Sequence, residues 1–176
     1  MTTWNRSTGC PTHNFSLVVC KHPTATNPCR WLAVEECKNR GWWLPGGFVE
    51  NGGDDFYTTA IKETIEEAGI HIEIKGILRV EHSMSFRRDG ARQRVIFYAE
   101  PKHIDKIEPK SIPDEESLRA KWLSIKELQE LSTKSPPFGL RGHELLDWAT
   151  YIENGGTIYP TSILTNEHTP IPVPDT

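Results

Sequence analysis

No apolar run in this 176-residue chain approaches the roughly 20 residues that a helix needs to cross a bilayer. A membrane-spanning role is therefore not expected. The opening residues, MTTWNRSTGCPTHN, carry no apolar core, so no secretory signal is expected either. Cysteine is scarce, and Cys10, Cys20, Cys29 and Cys37 lack the close pairing that structural zinc sites use. They read as mostly free thiols in a reducing compartment, which points to the cytoplasm. Cys20 lies in the apolar run 15–20 and reads as a core residue. None of the seven histidines is spaced to another as a metal ligand would be. A basic excess is missing too. The net charge is −4, with both signs interspersed. That argues against polymeric nucleic acid, which needs a basic track. It leaves room for a small nucleotide whose phosphates are bridged by metal.

The chain is long enough for one domain with a substantial core. Its elements alternate in type. Residues 15–21 read as a buried strand, 23–28 as a turn, and 30–35 as an antiparallel partner. A turn at 39–41 leads to a short strand at 42–44. Strands are expected over 70–80, 83–86 and 93–98, the last two joined through the Asp89-Gly90 turn. Another strand is expected at 117–123. A helix at 124–131 opens with a Ser124/Glu127 capping box. A further helix is expected at 140–153, stopped by Asn154-Gly155-Gly156. The Pro-rich tail 164–176 is expected to be extended or flexible beyond a single domain at 1–163.

The segment 55–68 carries the most chemistry. It reads as a helix, with Asp54 and Asp55 suited to its start and Gly69 to its end. Tyr57, Ile61, Thr64, Ile65 and Ala68 fall on one arc. Glu63, Glu66 and Glu67 sit roughly opposite, at spacings that make them neighbours on one face. Three carboxylates there repel one another. A hard cation such as Mg²⁺ or Mn²⁺ would relieve that repulsion, because oxygen ligands suit it. The alternative is a plain solvated acidic face.

Gly47, followed by Lys62-Glu63-Thr64-Ile65-Glu66-Glu67-Ala68-Gly69-Ile70, resembles the signature of the Nudix hydrolases. That signature runs Gly, five residues, Glu, seven residues, then Arg-Glu-apolar-x-Glu-Glu-x-Gly-apolar. This chain departs from it in three ways. The loop is one residue longer, so the first glutamate position falls on Gly53 or, with an insertion, on Asp54. Lys62 replaces arginine, whose planar fork lysine does not copy, and Thr64 replaces an apolar residue. The resemblance implies an α/β fold, the Nudix-type α/β/α sandwich with a mixed sheet. It implies catalysis by Glu63, Glu66, Glu67 and Lys62, and Mg²⁺ (or Mn²⁺) held by the three glutamates and a carbonyl of Gly46 or Gly47. The implied reaction cleaves the pyrophosphate linkage of a nucleoside diphosphate or its derivative and releases a monophosphate. A nucleotide-binding module without catalysis is the alternative, and a homodimer is compatible with either.

Residues outside the box complete the expectation. Glu115 or Glu116, in an acidic loop before a strand, could serve the site or simply be solvated. Trp42, Trp43, Phe48 or Phe86 could stack on a base, one of them being expected to do so. Arg87, Arg88, Arg92 and Arg94 could clamp phosphate or blunt a hairpin edge. Residues 118–123 and 140–146 are loosely similar to the subgroup that removes oxidised guanine diphosphates, making that the leading single substrate.

Overall fold

The computed structural model describes residues 9–50, 52–85 and 90–171. The expected hairpin turn, with Phe86, Arg87 and Arg88, lies outside the described residues, as does the tail from 172. Seven strands build one mixed sheet: β1 (Thr12–Thr26), β2 (Cys29–Glu36), β3 (Gly41–Trp43), β4 (Gly46–Phe48), β5 (Ile72–Ser85), β6 (Gly90–Pro101) and β7 (Ser117–Leu123). Their order is β3-β2-β1-β6-β5, with β4 on β1 and β7 on β2. β1 runs parallel to β6, and the other pairings are antiparallel.

Helix α1 (Phe56–Ala68) covers one face of the sheet, over a core that includes Val18, Leu32, Ala60, Ala68, Ile77 and Phe97. Helices α2 (Ile125–Ser132) and α3 (Glu144–Glu153) cover the other, over Leu17, Trp31, Trp43, Ile96, Leu128, Leu145 and Trp148. The chain therefore adopts the expected α/β/α sandwich. Trp31 and Phe97 are fully buried, each removing apolar surface worth roughly 2–3 kcal/mol. No helix among the described residues is long and apolar enough to cross a membrane.

Several expected boundaries move, each for a non-local reason. β1 continues through Pro23 to Thr26. Its register on β2 breaks between Lys21 and Thr26, and His22 Nδ1 accepts the Ala25 N–H at 3.0 Å. An irregularity of this kind tolerates proline within a strand. The strands expected at 70–80 and 83–86 run as one, β5. β4 was not expected, because two of its three residues are glycines with little strand propensity. The helix expected from residue 140 begins at Glu144. Leu140 bridges Trp42, and the Arg141 N–H donates to Trp42 O at 2.9 Å, so that backbone is already committed. The buried stripe of α1 is also rotated from the expected arc. Thr59, Ala60, Thr64 and Ala68 are buried, while Ile61 is 37% exposed. Small side chains at those positions let the helix lie close on the sheet.

Candidate active site

Helix α1 is bounded as its sequence dictates. The Asp55 carboxylate accepts the Thr58 N–H at 2.7 Å, and Gly69 ends the helix in a left-handed conformation at φ 70°. Pro45, Gly46 and Gly47 lie across the glutamate face. Pro45 O accepts the Val18 N–H at 2.9 Å, which ties this turn to β1. The Gly46 N–H donates to Glu67 Oε2 at 2.9 Å. Gly46 has φ +154°, and any Cβ there would collide with Ser16 O and Leu17. A Cβ on Gly47 would run into the Glu63 carboxylate. Backbone contact thus requires glycine at Gly46, whereas at Gly47 the absence of a Cβ leaves room for the Glu63 carboxylate.

This packing sets the electrostatics. Burial pushes the Glu63 carboxyl up to about 7, with Glu66 and Glu116 adding like charge. Burial pushes Glu67 up to about 8; the Gly46 N–H opposes the rise, while Glu63, Glu36 and Glu116 reinforce it. Glu116 therefore stands within electrostatic reach of the glutamate face, as does Glu36, which the sequence did not single out. The Glu36 carboxylate is bound by Arg141 Nη1 at 2.6 Å and lies 3.7 Å from Arg40.

The donor set is carboxylate oxygen crowded by like charge, which fits a hard divalent cation. In their present rotamers, the described residues bring no three His, Cys, Asp or Glu side chains to a common metal point. Glu67 is turned to Gly46, and Glu63 lies under Gly47.

Other expected site residues are placed differently from one another. Lys62 Nζ is 3.2 Å from Glu50 and 3.8 Å from Asp54, so it engages the lengthened loop. Phe48 is 41% exposed and packs edge-on against Phe15 at 5.3 Å between ring centroids. Trp43 is buried in the core, with the Arg141 guanidinium 4.2 Å over its ring. Trp42 is buried as well. Arg94 is held between Glu81 and Glu144, the latter at 2.6 Å. Arg92 lies over the Phe15 ring at 4.6 Å. Partners such as Glu36, Glu144 and Arg141 come from distant segments, and no local pattern marks them.

Two substitutions probe this geometry. Gly47→Ala is expected to displace Glu63 and lower turnover by about 10²-fold, the cost of roughly 1 Å of misplacement, while leaving the melting temperature nearly unchanged. Gly46→Ala is expected to destabilise the fold by about 1–3 kcal/mol, as a strained backbone position does. Chemical denaturation and turnover measured together check both. Separately, Lys62→Arg is expected to hold or raise turnover, because a planar fork grips carboxylates better. A large loss would show that the loop is built around lysine.

A glutamate-faced helix under a glycine turn, in a sandwich of this topology, defines a Nudix domain. The NUDIX domain family model matches residues 10–148, and the chain belongs to that family. It is 31% identical over 91 residues to nucleoside diphosphate-linked moiety X motif 6 of Xenopus laevis, covering 49% of this chain and 39% of that protein. It is also 31% identical over 118 residues to putative nudix hydrolase 1 of Caenorhabditis elegans, covering 65% and 28% respectively. The chain thus spans well under half the length of these curated relatives. Among solved structures, a NUDIX hydrolase from Nitrosomonas europaea superposes with a TM-score of 0.67 at 19% identity, over 89% of this chain and 97% of that one. The NUDIX domain of Shewanella oneidensis NrtR, complexed with ADP ribose, gives 0.59 at 16% identity, over 86% and 94%. These structural likenesses show the fold.

Proposed function

We propose that the chain is a divalent-metal-dependent hydrolase that cleaves the pyrophosphate linkage of a nucleoside diphosphate or its derivative and releases a monophosphate. The observation that carries this reading is the packing of Gly46 and Gly47 onto Glu67 and Glu63. Glu63, Glu66 and Glu67 would hold Mg²⁺ or Mn²⁺, which when bound would neutralise the diphosphate and lower the pKa of the attacking water. The chain contributes the rest. The bare glycine backbone lets a diphosphate approach the glutamates. The Gly46 N–H orients Glu67. A glutamate of this face that is not fully engaged by metal would accept the proton of the attacking water. Phe48 offers the exposed ring on which a base can stack.

Oxidised guanine diphosphate is the leading single substrate, and purines are preferred. The ADP ribose bound by the NrtR domain makes nucleoside diphosphate sugars the first competitors. The working compartment is the cytoplasm, and the domain reaches at least Leu164, which packs against the core and whose carbonyl accepts the Tyr57 hydroxyl at 3.0 Å. A binding module without catalysis is the second reading. It is favoured by Lys62, whose ion pairs point to the loop rather than the glutamate face. The test is turnover of oxidised and normal guanine diphosphates, nucleoside diphosphate sugars, dinucleoside polyphosphates and capped RNA, with either metal and with product identification. Preference for another substrate in the panel corrects only the substrate. Cleavage of nothing, with nucleotide still bound, selects the binding module.

A further inference from the structure

The last turn of a helix leaves four carbonyls without intrahelical partners. In α1 they belong to Ile65, Glu66, Glu67 and Ala68. Ile65 O is satisfied by the Gly69 N–H at 2.8 Å. The other three are taken by one distant segment, residues 110–117. Lys110 Nζ donates to Glu66 O at 2.7 Å, and the Lys110 N–H donates to Ala68 O at 2.8 Å. The Ser117 hydroxyl donates to Glu67 O at 2.6 Å. The same segment is closed on itself. Both Asp114 carboxylate oxygens accept from Lys110 Nζ at 2.8 Å. Asp114 Oδ1 also accepts the Glu116 N–H at 2.9 Å and the Ser117 N–H at 3.1 Å. One ammonium, only 15% exposed, therefore joins the end of the glutamate helix to the loop that carries Glu116.

We propose that Lys110 and Asp114 are positioning residues: a clasp that fixes the Glu116 carboxylate relative to Glu63, Glu66 and Glu67. The proposal rests on the hydrolase reading above. A cation at a helix C-terminus also complements the helix dipole, but water would satisfy a bare carbonyl equally well. What water cannot do is tie that carbonyl to Asp114, and through Asp114 to the backbone of Glu116. Without the tie, the Ser117 hydroxyl on Glu67 O and the Lys110 N–H on Ala68 O still hold the segment, but the 114–116 turn that carries Glu116 loses its link to Glu66 O.

The experiment compares Lys110→Met, Lys110→Arg, Glu116→Gln and the double variant Lys110→Met/Glu116→Gln. It reads kcat and KM with Mg²⁺, and Mn²⁺ affinity by titration calorimetry without nucleotide. Lys110→Met is expected to lower kcat by about 10–100-fold, as loss of a supporting contact does, with KM changing by less than about threefold. Lys110→Arg is expected to recover most of the loss, since it keeps a cation at Glu66 O. The double variant is expected to be no slower than Glu116→Gln by more than about twofold, because the lysine acts through that carboxylate. Losses that multiply, or wild-type kcat in a folded Lys110→Met, would overturn the clasp. Should Lys110→Met fail to fold, Asp114→Asn carries the same comparison, keeping the side-chain shape and removing the charge that holds Lys110. If no form turns over substrate, the hydrolase reading falls, and the clasp is judged on Mn²⁺. A roughly tenfold weaker Mn²⁺ affinity in Lys110→Met then supports it. An unchanged affinity, or no Mn²⁺ binding by the wild type, overturns it.

Discussion

Glu67→Gln and Glu66→Gln are each expected to lower Mg²⁺-dependent turnover by about 10²–10⁴-fold, the range in which a lost acid–base group is felt. The fold should survive. Glutamine at 67 keeps an oxygen to accept the Gly46 N–H, and it removes a carboxylate that burial disfavours in its charged form. The melting temperature of Glu67→Gln without metal is therefore expected to equal or exceed that of the wild type. Glu73→Gln is the control. Its ion pair with Lys75 is solvent-exposed, and pairs of that kind contribute little. Calorimetric melts and steady-state kinetics on the three variants make the comparison. Near-normal turnover in both Glu66→Gln and Glu67→Gln would remove the helix face from the reaction.

In metal-free solution the protein is expected to lose stability as pH rises from about 5 to about 9. Glu63 and Glu67 have folded pKa values of about 7 and about 8, above the ordinary 4.5. Between 4.5 and those values the folded state binds more protons than the unfolded state, so stability falls with rising pH. Below 4.5 both states are protonated and the slope vanishes. Above about 8 both are ionised and the full penalty remains. Mg²⁺ binds the ionised form, so the stabilisation it brings is expected to grow with pH, and binding should release protons. Melting curves at fixed ionic strength, with EDTA or with MgCl₂, read this directly. A flat profile in EDTA would contradict the burial of the two glutamates. Glu67→Gln should remove much of the slope.

The features legible in the sequence are those that local chemistry decides. Asp55 and Gly69 mark the ends of α1 because capping is a contact within a few residues. The Ser124/Glu127 box opens α2 for the same reason. β7 occupies the very residues expected of it, 117–123. The glutamate spacing was equally plain, since it is a property of one helix. What was hidden depends on partners far along the chain. Trp43 alternates like any strand residue, and only its register against Val34 puts it in the core. Nothing local to Arg94 signals its ion pairs with Glu81 and Glu144. The start of α3 was misread because a bridge to Trp42, about a hundred residues earlier, holds Leu140. Lys110 and Ser117 give no local sign that they finish a helix more than forty residues upstream.

The parallel pairing of β1 with β6 also governs how the chain must assemble. Thr12 is matched to Ala91 and Cys20 to Ala99, roughly eighty residues apart in sequence, so one side of the central strand closes a very long loop. Its other side is met early, by β2 and β4. During synthesis at about 5–20 residues per second, β1 therefore waits several seconds with one edge bare. Its run Leu17-Val18-Val19-Cys20, fully buried in the finished sheet, is over that interval an apolar strand edge open to a neighbouring nascent chain. Slower translation between β1 and β6 is accordingly expected to lengthen the exposure of that edge.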